Sequence, residues 1–446
     1  MNEFSQDLLK QQYDSLPYPK VPLEKTPEKD YNSLFTHNLV TPYYLYTQSF
    51  IETKDKFILD VGCGSGWTTL ELAFANPGAR IVAIDLSKNS LEVAQERLTR
   101  HGFDNVEYHH ITMENIAQLG YEFDYINCED VLYFSPNPAQ SLTALKSVLK
   151  SRGIIRGNFH SYYQRFYHYL SQELFRCLGL FDENPDEFEI EVVADTMKNL
   201  KANTLLRARA GSFSHINNFD LTSEKSKQRI LMNNLIQDDR GYTIPEIFEL
   251  LEQTQLQFIS MVNWRQWDVR DLFNDRDNLP TVWEFALENA SEMEQLRLFE
   301  LIHPCHRLID LWFVHDSFNS SFKSVSAWDD NDWQGAIIRL HPQLMSAKVR
   351  EDLVDIVKGQ KIWQISNYIS LPTVTPINIS SHLGALLLPL WEGAFSFEEM
   401  VCRWLQLQPK NLISGEDKSE VEARDEVKDL LIKLETFLYV LVERRV

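Results

Sequence analysis

The chain has 446 residues, more than a single hydrophobic core usually organises, so two or three domains are expected. Hydrophobic residues at 44%, aromatic residues at 12% and charged residues at 24% are globular values that exclude wholesale disorder. A net charge of −21 with no local basic patch opposes binding to nucleic acid or to an anionic membrane surface.

Taken in chain order, the first thirty or so residues are polar and proline-bearing. The cluster Tyr13-Asp14-Ser15-Leu16-Pro17-Tyr18-Pro19 predicts no regular element. From residue 56, short β-rich runs alternate with helical ones, the pattern of parallel strands joined by crossover helices. Strands are predicted at Phe57 to Val61, Arg80 to Asp85, Val106 to His109, Phe123 to Cys128 and Gly153 to Asn158. Helices are predicted at about Trp67 to Asn76, Asn89 to His101 and Ala139 to Lys150. Five strands in about a hundred residues indicate a doubly wound α/β sheet. Tyr162 to about Gln237 reads as a helical insertion. Thr243 to Gln253 is then an amphipathic helix whose cap, Thr243, has Glu246 three residues on. Leu256 to Trp264 and Leu308 to Val314 are strand candidates. Helices follow at about Ser346 to Gly359 and Ser396 to Leu405, and the apolar spacing of Val421, Val427, Leu430, Leu431, Leu434, Phe437, Leu438 and Leu441 predicts one long helix from about Ser419 to Glu443.

The domain organisation expected is an N-terminal lid segment over residues 1–35, a catalytic domain over 36–320 with its helical insertion at 161–240, and a mainly helical accessory domain over 321–446. Five scattered cysteines without a CxxC pair suggest neither a disulfide framework nor a zinc ribbon. His303-Pro304-Cys305-His306 crowds its ligand types around a proline with no second cluster, so no metal is expected. The most apolar stretch, Leu383 to Trp391, is too short to span a bilayer. A cytoplasmic protein, monomeric or homodimeric, is the expectation.

The chemistry is carried by Asp60-Val61-Gly62-Cys63-Gly64-Ser65-Gly66-Trp67, a strand entering a glycine-rich turn and then a helix. Glycines let backbone approach a ligand closely, and the helix start offers unpaired N–H groups. A second strand ends in Asp85, followed by Leu86, where a carboxylate can accept from two ribose hydroxyls. Trp67 stands where a dinucleotide fingerprint wants its third glycine. Asp60 would repel a pyrophosphate and welcome an ammonium or sulfonium.

Over residues 56 to 160 the chain resembles class I S-adenosylmethionine (SAM)-dependent methyltransferases. The resemblance implies a Rossmann-like sheet closed by an antiparallel strand pair, with SAM as cofactor. It assigns cofactor binding to Asp60, Gly62, Gly64 and Gly66 in the turn, to Asp85 and Leu86, to Met113 and Glu114 in the adenine-binding loop, and to Asn127 beside the methionine moiety. A weaker resemblance, carried by Tyr13 to Pro19 together with Leu386 to Gly393 and Phe397 to Val401, is to bacterial protein lysine methyltransferases with regulatory and winged-helix-like C-terminal domains.

Methyl transfer from a sulfonium is an in-line displacement that depends on alignment and desolvation more than on a triad. Glu129, Asp130 and Tyr133 follow the fourth strand, and Asn158, His160 and Tyr163 the fifth, where acceptors of open α/β sheets sit. His160 is the preferred base, since an imidazole titrates near neutrality. Its alternative task is to order the insertion. Glu129 either binds a cationic acceptor or solvates a loop. Tyr13 and Tyr18 either close over the cofactor or pack on the sheet edge. The segment Asn127-Cys128-Glu129-Asp130 lacks the Pro-Pro pair common where amide or nucleobase nitrogens are methylated. The leading expectation is methyl transfer to a protein side chain. The alternatives are a small-molecule O- or N-methyltransferase and a SAM-sensing interaction module.

Overall fold

The computed structural model describes residues 17–210, 221, 223–318, 322–411 and 413–444. Tyr13 and the rest of residues 1–16 lie outside the described residues, as do 211–220 of the insertion.

Two short helices, α1 (Tyr31–His37) and α2 (Val40–Thr47), precede the sheet. The alternating unit is β1 (Phe57–Val61), α3 (Trp67–Ala75), β2 (Arg80–Asp85), α4 (Lys88–Arg100), β3 (Glu107–His110), β4 (Phe123–Cys128), α5 (Pro138–Ser147) and β5 (Leu149–Ser161). The insertion is α6 (Tyr162–Cys177), α7 (Glu187–Asn199), α8 (Leu205–Ala210) and α9 (Glu224–Asn234). The chain returns through β6 (Gly241–Tyr242), α10 (Ile244–Gln253), β7 (Leu256–Met261), α11 (Thr281–Asn289), α12 (Glu292–Ile302) and β8 (Leu308–His315). Thr243 and Glu246 form the capping box that their spacing predicts.

The main sheet runs in the order β3-β2-β1-β4-β5-β8-β7, with β6 paired to the end of β5. Strands β1 to β5 are parallel, and β8 runs antiparallel to both β5 and β7. The two closing strands are therefore the ones expected. Apolar residues of α3, α4 and α2 cover one face and those of α5 and α10 the other, giving the doubly wound α/β arrangement.

The C-terminal part contains α13 (Asp330–Gln334), β9 (Ala336–Leu340), α14 (Ala347–Lys358), β10 (Trp363–Gln364), β11 (Asn378–Ile379), α15 (Ser381–Leu387), β12 (Phe395–Ser396), α16 (Phe397–Leu407), α17 (Glu420–Glu435) and β13 (Val440–Arg444). Its helices surround a three-stranded antiparallel sheet, β12-β9-β13. This corrects the expectation of one helix to Glu443. Leu438 adopts a left-handed φ of 53°, the chain turns, and Val440 to Arg444 pairs with β9.

Helix α1 crosses the position at which the lid segment was expected to end. Phe35, Val40 and Tyr44 are buried in the C-terminal core beside Trp333, Leu386 and Leu431. Among the described residues, no helix is long and apolar enough to cross a membrane.

Candidate active site

One face of the sheet changes character along its strands. Ile58, Tyr125, Ile154 and Trp312 lie in one apolar cluster. Two residues toward the strand ends the same face, set by the pleat, carries Asp60, Asn127, Arg156 and Asp310. Asp60 pairs in register with Asn127, and Asn127 with Arg156, so three polar side chains form a row across β1, β4 and β5. Thr69 Oγ1 donates to Asp60 Oδ2 at 2.7 Å, and Asn127 Nδ2 donates to Asp60 Oδ1 at 3.0 Å. Burial raises the pKa of Asp60 to about 6 against these two donors.

Arg156 is the hub of the row. Its Nη2 meets Asp310 Oδ2 at 2.7 Å and its Nε donates to Asp310 Oδ1 at 3.1 Å. Its Nη1 and Nη2 each reach a carboxylate oxygen of Glu129 at 3.2 Å. Beside Arg156 Nη1, and 2.9 Å from it, His37 Nε2 stands 3.1 Å from the same Glu129 Oε2. Burial works against ionisation of Glu129, but Arg156 and then His37 outweigh it and hold the carboxyl well below its usual range. Burial likewise opposes protonation of His37, yet Glu71 and Glu129 raise its pKa. Glu129 is thus a half-buried, ionised carboxylate at the carboxyl end of β4.

The glycine turn lies beside this row. Gly62, Gly64 and Gly66 have φ of 70°, 50° and 77°, conformations that side chains rarely adopt. A Cβ on Gly64 would lie 2.2 Å from the Tyr18 carbonyl oxygen. That carbonyl accepts from the Ser65 N–H at 2.8 Å, and Ser65 Oγ donates to the Pro19 carbonyl at 2.7 Å. Buried Arg97 of α4 fixes the same segment by donating to the carbonyls of Ser65, Val21 and Pro22. The described part of the expected lid, from Tyr18 on, is therefore a strap bound across the turn.

Asp85 ends β2 with one carboxylate oxygen accepting from the Gly64 N–H and the other from the Ser87 N–H, both at 2.8 Å. Leu86, next in line, is 40% exposed, and Met113 is buried at the start of the turn after β3. Exposed Glu114 lies on that turn, where Ser141 Oγ donates to its Oε1 at 3.4 Å. A small-residue turn, an acid gripping it and an apolar side chain facing outward fit an adenosyl group. Asp60 and Asn127 fit the cationic end of a sulfonium amino acid.

At the carboxyl ends of β4 and β5, Asp130 has a left-handed φ of 56°, and its N–H donates to Asn158 Oδ1 at 2.8 Å. Asp130 Oδ1 and Asn158 Nδ2 are buried without a hydrogen-bond partner. Tyr18 also faces this end, since burial and then Asp130 raise its hydroxyl pKa. Tyr133 stacks on His160 with ring centroids 3.7 Å apart. His160 lies 2.6 Å through Nδ1 from Asp239 Oδ1, and its Nε2 accepts from Arg307 Nη1 at 2.9 Å. Burial lowers its pKa to about 4, so the ring is neutral at pH 7 with both nitrogens engaged. Tyr163 stands apart, accepting from Arg297. Beyond Asp239 opens a cavity of about 570 Å³ lined by Tyr162, Tyr163, Tyr169, Arg176 and Glu246.

His37, Arg156 and Asp310 were missed by sequence reasoning. The available signal was a charge interrupting each of two apolar strands, Ile154-Ile155-Arg156 and Leu308-Ile309-Asp310-Leu311.

The family described as "Methyltransferase domain" matches residues 52–209. PKMT2 from Rickettsia typhi in complex with AdoHcy is similar over 96% of this chain and 77% of its own, with a TM-score of 0.58 at 16% identity, a likeness of fold. An uncharacterized protein of Synechococcus sp. is 28% identical over 294 residues, 66% of this chain and 67% of its own. The ubiquinone biosynthesis O-methyltransferase of Aromatoleum aromaticum is 36% identical over 113 residues, 24% of this chain; the match spans 47% of that relative's length. Strand order, glycine turn, terminal acid and family match agree: residues 52–209 match a methyltransferase domain, and the chain carries a SAM-dependent methyltransferase core of class I with SAM as its cofactor.

Proposed function

We propose that the chain transfers a methyl group from SAM to an amine on a protein side chain. The observation that carries this reading is the charge at the acceptor end. Glu129 is ionised and half-buried, Asp130 keeps a carboxylate oxygen unpartnered, and both stand where the acceptor reaches the sheet. A carboxylate pair there complements an ammonium group and repels a phosphate or another carboxylate. The likeness to PKMT2 over most of both chains supports a protein acceptor.

SAM supplies the activated methyl carbon. The chain's residues hold the acceptor ammonium, and its proton leaves to water. The amine lone pair then forms the C–N bond as the C–S bond breaks, and its electrons go to sulfur. A lowered carboxylate pKa suits Glu129 to binding rather than to proton abstraction. His160, with Nε2 occupied by Arg307, orients that guanidinium and the Tyr133 ring. The phenol acceptors of O-methyltransferases need a base to take the hydroxyl proton, and no free imidazole nitrogen is offered here by His160. Gly62, Gly64, Gly66, Asp85, Leu86, Met113 and Glu114 would hold the adenosine part of SAM. Asp60 and Asn127 hold the methionine.

The test uses tritium-labelled SAM with fractionated cell lysate. Label retained on protein and released as methylated lysine supports the reading, and label confined to extractable small molecules overturns it. Glu129→Gln keeps the shape but removes the charge, and is expected to lower transfer to protein about a hundredfold with AdoHcy affinity within threefold.

A further inference from the structure

Helix α1 has two working faces. Ser33 and His37, four residues apart, share one of them. Ser33 Oγ donates to Glu71 Oε1 at 2.6 Å, and His37 Nε2 lies 3.1 Å from Glu129 Oε2. The ring cannot turn independently of the helix, because its Nδ1 donates to the Ser33 carbonyl at 2.8 Å. Tyr31, Asn32 and Phe35 form the other face and meet the C-terminal part, Phe35 buried in its core and Tyr31 and Asn32 half-buried at its edge. The Asn32 side chain accepts from the N–H groups of Ser370 and Leu371 at 2.8 and 2.9 Å and donates to Ser370 Oγ at 3.1 Å. Tyr31 Oη stands 3.2 Å from Ser346 Oγ, and the Phe35 ring lies 4.6 Å from that of buried His341.

Glu129 has two supports, and one of them is shared. Arg156 divides its Nη2 between Glu129 and Asp310 and its Nη1 between Glu129 and His37 Nε2, 2.9 Å away, so it does not by itself decide where Glu129 points. His37 supplies the other contact. We infer that His37 is a positioning residue for the Glu129 carboxylate, and that its place is set by the C-terminal part through Asn32 and the loop at Ser370 and Leu371. That part of the chain is then a structural component of the acceptor site, and displacement of the loop by a ligand or partner would move Glu129. The role of Glu129 in transfer rests on the proposed function. The mechanical link does not.

The full-length protein labelled with ¹⁵N-histidine gives a readout that needs no acceptor. The His37 ring signal, assigned with His37→Gln, reports protonation against pH while Glu71, Glu129 and Arg156 face the ring. Asn32→Ala is expected to shift its midpoint down by about one pH unit, because the ring loses register with the carboxylates. Transfer of label to protein is expected to fall about tenfold while AdoHcy affinity stays within twofold. Tyr31→Phe, which removes one hydroxyl contact, is expected to give a smaller shift in the same direction and serves if Asn32→Ala does not fold. An unchanged His37 midpoint in the folded variant overturns the link even if transfer falls. A loss of transfer in Glu129→Gln with no His37 shift in Asn32→Ala sinks the link alone, and a His37 shift with undiminished transfer in Glu129→Gln sinks the proposed function alone.

Discussion

Gly64→Ala isolates what the glycine turn does. At φ 50° an alanine pays about 1–2 kcal/mol for the left-handed conformation. Its Cβ would also fall 2.2 Å from the Tyr18 carbonyl oxygen, a backbone atom that cannot rotate away. Moving that carbonyl breaks its bond from the Ser65 N–H, about 1 kcal/mol more. The sum, about 2–3 kcal/mol, is borne by the strap and the turn, because Arg97 and Ser65 tie them together. The Gly64 N–H that holds Asp85 shifts with them. Gly102→Ala is the control: its φ of 82° carries the same conformational cost, and nothing lies within 4 Å of its Cβ. Isothermal calorimetry with AdoHcy is expected to show Gly64→Ala weakened at least thirtyfold, since about 1.4 kcal/mol is one decade. Gly102→Ala is expected to bind as the parent does while losing about 1–2 kcal/mol of stability. Equal AdoHcy affinity in the two variants would refute both the placement of the cofactor and the tie between strap and turn.

Asp85→Asn keeps one acceptor oxygen but sets an amide nitrogen against an N–H donor, so AdoHcy affinity is expected to fall roughly a hundredfold by calorimetry, with the unfolding midpoint changed little. His341 is fully buried, accepts from the Gln343 N–H and meets Thr41 Oγ1, and burial lowers its pKa to about 3. Its neutral form therefore contributes stability in full above pH 6.5, and the contribution is lost as pH falls from there toward 3. His341→Asn is expected to be less stable at pH 7.5 yet to lose about one proton's worth of pH dependence, roughly 1.4 kcal/mol per pH unit, between pH 6 and 4.5 in urea titrations.

The nucleotide half was legible because its cues are local. Each of β1, β2 and β4 is an apolar run ended by a glycine, an acid or a polar pair, and Asp60, Gly64 and Asp85 occupy those ends. The chain terminus misled for a related reason. Leu430, Leu431, Leu434, Leu438 and Leu441 keep helical spacing across a break that only the backbone at Leu438 reveals. The contrary cue was Leu438-Tyr439-Val440-Leu441-Val442, five consecutive apolar residues that suit a buried strand better than an amphipathic helix. Asn32 and Ser370, like His37 and Glu129, are brought together by folding over long sequence separations, and a single sequence holds no local signal of such pairs.

The acceptor end carries five carboxylates, of Asp60, Glu71, Glu129, Asp130 and Asp310, against the cations Arg156, Arg307 and a His37 whose pKa is raised. Stability alone gives little reason for this. Removing charges from water costs several kcal/mol each, and well-packed apolar residues of similar volume often serve a fold as well or better. The same sheet face shows that option in use two residues away, where Ile58, Tyr125 and Ile154 fill it with apolar side chains. The polar row begins where the strands reach the glycine turn, and its excess negative charge would complement a sulfonium, an α-ammonium and the proposed amine acceptor brought together. On this reading the cluster is strained by its own charge until its ligands arrive. AdoHcy, which lacks the sulfonium charge, should then bind less tightly than sinefungin, whose amine restores a cation at that position, and the preference should diminish in Glu129→Gln. Equal affinities of the two in the parent protein would show that the negative excess is already balanced without a ligand.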